Sequence, residues 1–204
     1  MSAPITIALP KGRIYESSVH FFANQGIDLS MKEREYISYD RKHQIRAIMV
    51  RNTDLPRYVH NGIAGMGIVG TDILTEFEYS FFNLATLPFG NARICLAGKE
   101  NILPVEKRIK IATKYPRFTY NLFHTRCIPV EILPLHGSVE LAPLLGLAPY
   151  IVDLVETGNT LKANNLSIVE ELIKTKVVFV ANRSFYKVHY RVVDNLIRML
   201  FFHD

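Results

Sequence analysis

The chain has only two cysteines, Cys95 and Cys127, and they do not form a C-x-x-C pair. Neither a disulfide framework nor a thiolate metal site is expected, and both thiols read as reduced and buried. The seven histidines are scattered, with no H-x-x-x-H or H-E-x-x-H, which removes the familiar zinc motifs. No apolar run approaches the length of a bilayer span. The opening MSAPITIALPKGR has no basic stretch ahead of its apolar residues, so it does not read as a secretory signal. The expected compartment is the cytoplasm. There is no G-x-x-x-x-G-K-[ST], which excludes a P-loop, and no internal repeat, low-complexity tract or long linker. The spacing reveals no Ser-His-Asp or Cys-His grouping.

What is present is an ordinary globular balance with a basic excess. The 204 residues are 49% hydrophobic and 21% charged, enough for one large domain or two small lobes with real cores. The net charge of +5 favours anionic partners. The basic residues are dispersed and form no dense stripe with interleaved aromatics. Phosphorylated small molecules therefore fit better than nucleic acid, and no nucleic-acid or membrane partner is expected.

Short β-branched runs alternate with amphipathic stretches. ITIAL (5–9), QIRAIMVR (44–51), MGIV (66–69), ARICLAG, KIAT, VEILPL, YIVDLV and KVVFVANR read as strands. GRIYESSVHFFANQG reads as a helix ending at Gly26. TDLPRYVHNG reads as another, capped by Thr53 or Asp54 and closed at Gly62, and TDILTEF starts a third. The alternation predicts an α/β fold with mixed or mostly parallel sheets flanked by helices, in which ligands meet the carboxyl ends of strands.

One stretch invites a false reading. Gly65–Gly70, GMGIVG, spells G-x-G-x-x-G. A dinucleotide fingerprint needs a strand before it, a helix within it and an acid about 20 residues on. Here a helix precedes the motif, a strand lies inside it, and no acid occurs between Glu78 and Glu100. Gly65 and Gly67 read as packing glycines. Gly70-Thr71-Asp72 stands at a strand's carboxyl end, either as a plain helix cap by Thr71 or Asp72 or as a ligand loop.

The richest segment is IVDLVETGNTLKANNL (151–166), which reads strand, acid, T-G-x-T, helix. Gly158 permits a tight turn, Thr157 and Thr160 offer hydroxyls, and amides at a helix start favour an anion. Asp153 and Glu156 beside such a cradle suit a phosphate carried on a sugar, or one bridged by Mg²⁺. The plainer alternative is a strand–helix junction capped by Thr157 or Asn159. ALPKGR places Lys11, Gly12 and Arg13 at a strand end and helix start, where positive charge opposes the helix dipole unless an anion binds. Arg51, before Asn52-Thr53-Asp54, and Arg93, after PFGNA, repeat that placement. Basic residues at strand carboxyl ends would converge on one polyphosphate cleft.

Six ordered blocks carry a resemblance: IALPKGRI, VRNTDLPRYVHNGIAGMGIVGTDIL, FGNARICLAG, KIATKYPR, GSVELAPLLGLA and DLVETGNTLKANNL. The chain resembles the ATP phosphoribosyltransferases, in their short form, from Ile5 to Arg183. The resemblance implies a two-lobed fold like type II periplasmic binding proteins, with 1–93 plus 177–204 as the first lobe and 94–176 as the second. It implies the joining of N1 of ATP's adenine to C1 of phosphoribosyl pyrophosphate, with pyrophosphate released in the presence of Mg²⁺ and no protein cage for the metal. It implies a homodimer within a hetero-oligomer and a regulatory subunit related to histidyl-tRNA synthetase. On this reading Asp153, Glu156, Thr157, Gly158, Asn159 and Thr160 hold the phosphoribosyl group. Lys11, Gly12, Arg13, Arg51 and Arg93 face pyrophosphate and the ATP phosphates, with Lys11 and Arg51 catalytic. Asp72 and Glu140 line the nucleotide side. Two departures touch nucleotide contacts: His136 stands where a small residue is common, and Thr53 replaces a frequent Lys.

The rival is a non-catalytic anion- or solute-binding domain on the same fold, against which the acid-flanked cradle argues. In the last amphipathic stretch, Val188, Val192, Leu196 and Leu200 recur four apart, which predicts a helix packed on its own lobe.

Overall fold

A computed structural model describes residues 4–100 and 108–202. In chain order the elements are β1 (Ile5–Pro10), α1 (Arg13–Ala23), β2 (Ile37–Asp40), β3 (Ile45–Val50), α2 (Leu55–His60), β4 (Met66–Gly70) and α3 (Thr71–Phe77). Then come β5 (Phe82–Thr86), β6 (Ala92–Gly98), β7 (Ile109–Thr113), α4 (Pro116–Thr125), β8 (Val130–Pro134) and α5 (Leu141–Leu144). The chain closes with β9 (Tyr150–Val155), α6 (Asn159–Ala163), β10 (Ser167–Thr175), β11 (Val177–Ala181) and α7 (Arg183–Phe201). There are two compact units. One takes the described residues of Met1–Leu74, Glu78–Gly90 and Lys176–Asp204, and the other those of Thr75–Phe77 and Asn91–Thr175.

The first unit holds a six-stranded sheet in the order β2-β3-β1-β4-β11-β5. β1 pairs parallel with β3 and β4, while β11 runs antiparallel to β4 and β5, and β2 antiparallel to β3. The inner strands β4 and β11 are buried along their whole length, as continuous apolar runs require. Their core includes Ile7, Leu9, Phe22, Met66, Ile68 and Phe179, closed by Val193, Leu196 and Leu200 of α7. The second unit holds β10-β6-β9-β7-β8, with β7 parallel to β8 and β9, and β6 antiparallel to β9 and β10. Both sheets are thus mixed. Among the described residues no helix is long and apolar enough to cross a membrane.

Several local expectations are refined. α1 stops at Ala23, three residues before Gly26. The chain leaves through bonds from the Gln25 N–H to Phe22 O (3.0 Å) and the Gly26 N–H to Ala23 O (2.9 Å), with Gly26 at φ 74°. Cys95 is buried, but Cys127 is exposed, because it sits in the left-handed turn after α4 (φ 56°). The apolar stripe of α7 is only half covered: Leu196 and Leu200 are buried, whereas Val188 is 75% exposed and Val192 is also exposed. Asn182 caps this helix by accepting from the N–H groups of Ser184 and Phe185 (both 2.9 Å). Its amide also donates to the carbonyls of Val59 and His60.

The glycine triplet is explained by packing. A side chain at Gly65 would lie 2.5 Å from the Phe185 ring, and one at Gly67 would lie 2.8 Å from Val59 and 2.9 Å from Leu55. The glycines let α2 and α7 approach β4 closely. Gly67→Val is expected to lower stability by about 1–3 kcal/mol through overpacking. Urea unfolding measures it, and an unchanged midpoint would contradict the packing role.

Candidate active site

In the first unit, parallel pairing places two cations side by side. Pro10 and Val50 are register partners, so Lys11 and Arg51 leave adjacent strand ends together, and the Lys11 N–H extends the ladder to Val50 O (2.8 Å). Gly12 turns the chain into α1 at φ 101°, a conformation that L side chains rarely adopt. Lys11, Arg13 and Arg51 are all exposed. The Arg51 carbonyl accepts from the N–H groups of Asp54 and Leu55 (both 3.0 Å), which starts α2. The predicted capping position of Asp54 holds, but its side chain makes no cap bond. A groove of about 530 Å³ runs past Arg46, Arg51, Asp54, Tyr36 and Tyr58.

At the next strand end, Gly70 is the residue before α3, and no side-chain cap bond is made there. Thr71 instead ties the chain to Lys176. Its N–H donates to the Lys176 carbonyl (2.8 Å), and its hydroxyl accepts from the Lys176 N–H (3.0 Å). Asp72 is 4% exposed, within the first turn of α3 where the dipole favours a carboxylate. A side chain on Gly70 would collide with the Asp72 carboxylate, so this glycine makes room for the acid.

The second unit builds the phosphate-loop junction. Gly158 takes a left-handed conformation (φ 80°) as the residue before α6, and Thr157, Asn159 and Thr160 are exposed around it. Within the turn the Asn159 N–H donates to the Thr157 hydroxyl at 3.4 Å. Three residues upstream of Glu156, Asp153 is largely withdrawn from solvent. Its Oδ1 accepts the Leu154 N–H (2.8 Å), and its Oδ2 lies 3.3 Å from Lys114 Nζ. Burial pushes the Asp153 carboxyl above the usual carboxylate range, against the pull of Lys114 and the Leu154 amide. The Glu140 charge adds a small push in the same direction, so Glu140 belongs to the electrostatic surroundings of Asp153. Lys114 arrives by register: Thr113 pairs with Val152 across parallel β7 and β9, and the Thr113 hydroxyl donates to the Val152 carbonyl (2.6 Å).

A model of the family HisG: ATP phosphoribosyltransferase matches residues 51–201. The chain belongs to the ATP phosphoribosyltransferase family. A curated member from Symbiobacterium thermophilum is 40% identical over 97% of this chain and 94% of its own length. The solved HisG:HisZ complex from Thermotoga maritima contains a chain that superposes with a TM-score of 0.86 at 34% identity, covering 96% of both chains. The VFT2 domain of BvgS from Bordetella pertussis shares only the fold, with a TM-score of 0.60 at 14% identity over 99% of this chain and 88% of that domain. The fold is the α/β, type II periplasmic-binding-protein-like one.

Within this family member one expected site residue is displaced. Arg93 does not end a strand. It is the second residue of β6, and because β6 runs antiparallel to β9 it stands opposite Val155, the residue before Glu156. Its guanidinium is bound to Glu171 (3.0 Å) across β10, and its Nε is buried without a hydrogen-bond partner. The pair is partly exposed, at the end of β9 from which the phosphate loop leaves.

Two side chains escaped the sequence reading. Lys114 carried the signal used for Lys11 and Arg51, a cation just after a strand. Glu76 carried none. It is 6% exposed and accepts the N–H groups of Arg117 (3.0 Å) and Phe118 (2.9 Å), so it caps α4 from 41 residues away where Tyr115 makes no side-chain cap bond. Glu76→Ala is expected to cost about 1–3 kcal/mol by stranding these amides. Hydrogen exchange should accelerate at Arg117 and Phe118, and unaltered protection would contradict the capping role.

Proposed function

We propose that the chain joins N1 of ATP's adenine to C1 of phosphoribosyl pyrophosphate and releases pyrophosphate, the first step of histidine biosynthesis. The observation that carries this reading is the Asp153-to-Thr160 junction. It sets a glycine turn flanked by exposed Thr157, Asn159 and Thr160 beside a half-buried carboxylate and an exposed one, which suits a phosphorylated sugar. Glu156 to Thr160 hold the 5-phosphate, and Asp153 with Glu156 accept the ribose hydroxyls. Lys11, Gly12, Arg13 and Arg51 face the pyrophosphate and ATP phosphates. Asp72 and Glu140 line the nucleotide side.

The chemistry needs little proton transfer. Adenine N1 attacks C1 with its lone pair as the C1–O bond to pyrophosphate breaks, and no proton has to be removed first. The requirement is alignment of two anions and stabilisation of charge on the leaving group. The cations Lys11 and Arg51, fixed by adjacent strand ends, meet it. Among the described residues no cluster of three His, Cys, Asp or Glu could hold a metal ion. Mg²⁺ would arrive with phosphoribosyl pyrophosphate, where it would supply charge neutralisation for the leaving group.

The Thermotoga maritima relative is titled as a complex of HisG with HisZ. That supports a regulatory subunit for this chain as well, related to histidyl-tRNA synthetase, with the catalytic chain as a homodimer in the assembly. The substrates, both metabolites of the cytoplasm, support a cytoplasmic site of action.

Thr160→Val is expected to weaken phosphoribosyl pyrophosphate binding by about 10- to 100-fold, the worth of one hydrogen bond to a charged group, and Gly158→Pro by at least as much. Unchanged affinities in calorimetry would sink this placement. Arg51→Ala is expected to lower kcat by about 100-fold with a smaller rise in KM, whereas the reverse split would reduce Arg51 to a ground-state contact.

A further inference from the structure

We propose that Lys114 is a positioning residue that keeps Asp153 ionised as the acceptor for the ribose hydroxyls. This rests on the reading that Asp153 binds the ribose. The geometry requires some such partner. Asp153 is only 16% exposed at its side chain, and a buried carboxylate without a counter-charge takes up a proton. A neutral acid gives up acceptor capacity and presents a donor of its own to hydroxyls that need acceptors.

Among the described residues, Lys114 is the cation that acts on Asp153. On β6 its register partner is Cys95, a buried thiol whose ionisation burial suppresses. From the turn entering α5 comes Glu140, whose negative charge works against ionisation. From β9 itself come the Leu154 N–H and, three residues on, Glu156. The cation is Lys114, delivered by β7 at 3.3 Å. One ammonium proton occupies one lone pair of Oδ2, so Asp153 can accept from a hydroxyl while the pair stays intact. Lys114 itself is partly exposed, and the pair is not a buried ion pair of the fold.

The test compares wild type, Lys114→Met and Lys114→Arg for phosphoribosyl pyrophosphate affinity by calorimetry from acid to mildly alkaline pH, at constant Mg²⁺. Titration of the ligand's own phosphates is common to all three and drops out of the comparison. The expected result is that affinity fails on acidification about 1–3 pH units earlier in Lys114→Met, converges with wild type at high pH, and is restored in Lys114→Arg. A loss that is uniform across pH overturns the proposal by making Lys114 a direct ligand contact, and no loss at any pH overturns it as well. The Asp153 carboxyl carbon, followed by NMR without ligand, gives an independent readout. Its titration should move up in Lys114→Met, and an unmoved titration overturns the coupling. Should Lys114→Met fold poorly, Lys114→Gln serves in the same comparison. Full affinity in Asp153→Asn would instead overturn the ribose reading, and the carbon titration would still decide the coupling.

Discussion

A carboxylate that is mostly out of water but must stay charged governs the architecture around the phosphate loop. Asp153 sits within the second half of β9, where burial raises its pKa. Three features of the second unit answer that cost. The parallel register of β7 and β9 brings Lys114 to its side, the Thr113 hydroxyl ties the two strands where they end, and the Leu154 amide holds the second oxygen. Beyond this anchored acid the chain can turn sharply at Gly158 and leave Thr157, Asn159 and Thr160 exposed. On the proposed function, the anchored part of the junction would carry the sugar acceptor and the exposed part the phosphate cradle.

Strand direction sets which residues can join the chemistry. Lys11 and Arg51 stand together because β1 and β3 run parallel and stop in register. Arg93 reaches the region of the phosphate loop by the opposite route, since the start of an antiparallel strand lies beside its neighbour's end. There Glu171 holds its guanidinium in a partly exposed pair. The helices between strands also carry long-range duties. Glu76 completes α4, and α4 begins two residues after Lys114.

Much of this was legible in the residues. The apolar runs of β1, β4, β6, β9 and β11 announced central strands because such strands are covered on both faces. The T-G-x-T turn announced a left-handed glycine, and the order of strand and helix around GMGIVG disclosed that its glycines serve packing. What was not legible depends on partners distant in sequence. β2, β5 and β10 were missed: β10, SIVEELIKT, has charged residues that weaken its strand propensity, and pairing with β6 makes it a strand. Glu76 and Thr71 look like ordinary helix residues, and only the fold gives them Arg117, Phe118 and Lys176. The α7 stripe predicted burial throughout, but Val188 and Val192 are exposed while Leu196 and Leu200 are buried.

The account stands on transfer, not binding alone. The most direct measurement mixes ATP, phosphoribosyl pyrophosphate and Mg²⁺ with the chain, with and without a HisZ subunit, and follows near-ultraviolet absorbance as N1 of adenine is substituted. The expected result is an absorbance rise that requires both substrates and is matched by pyrophosphate release. Absorbance that stays flat in both assays, while phosphoribosyl pyrophosphate still binds, would make the chain an anion-binding domain and contradict the account.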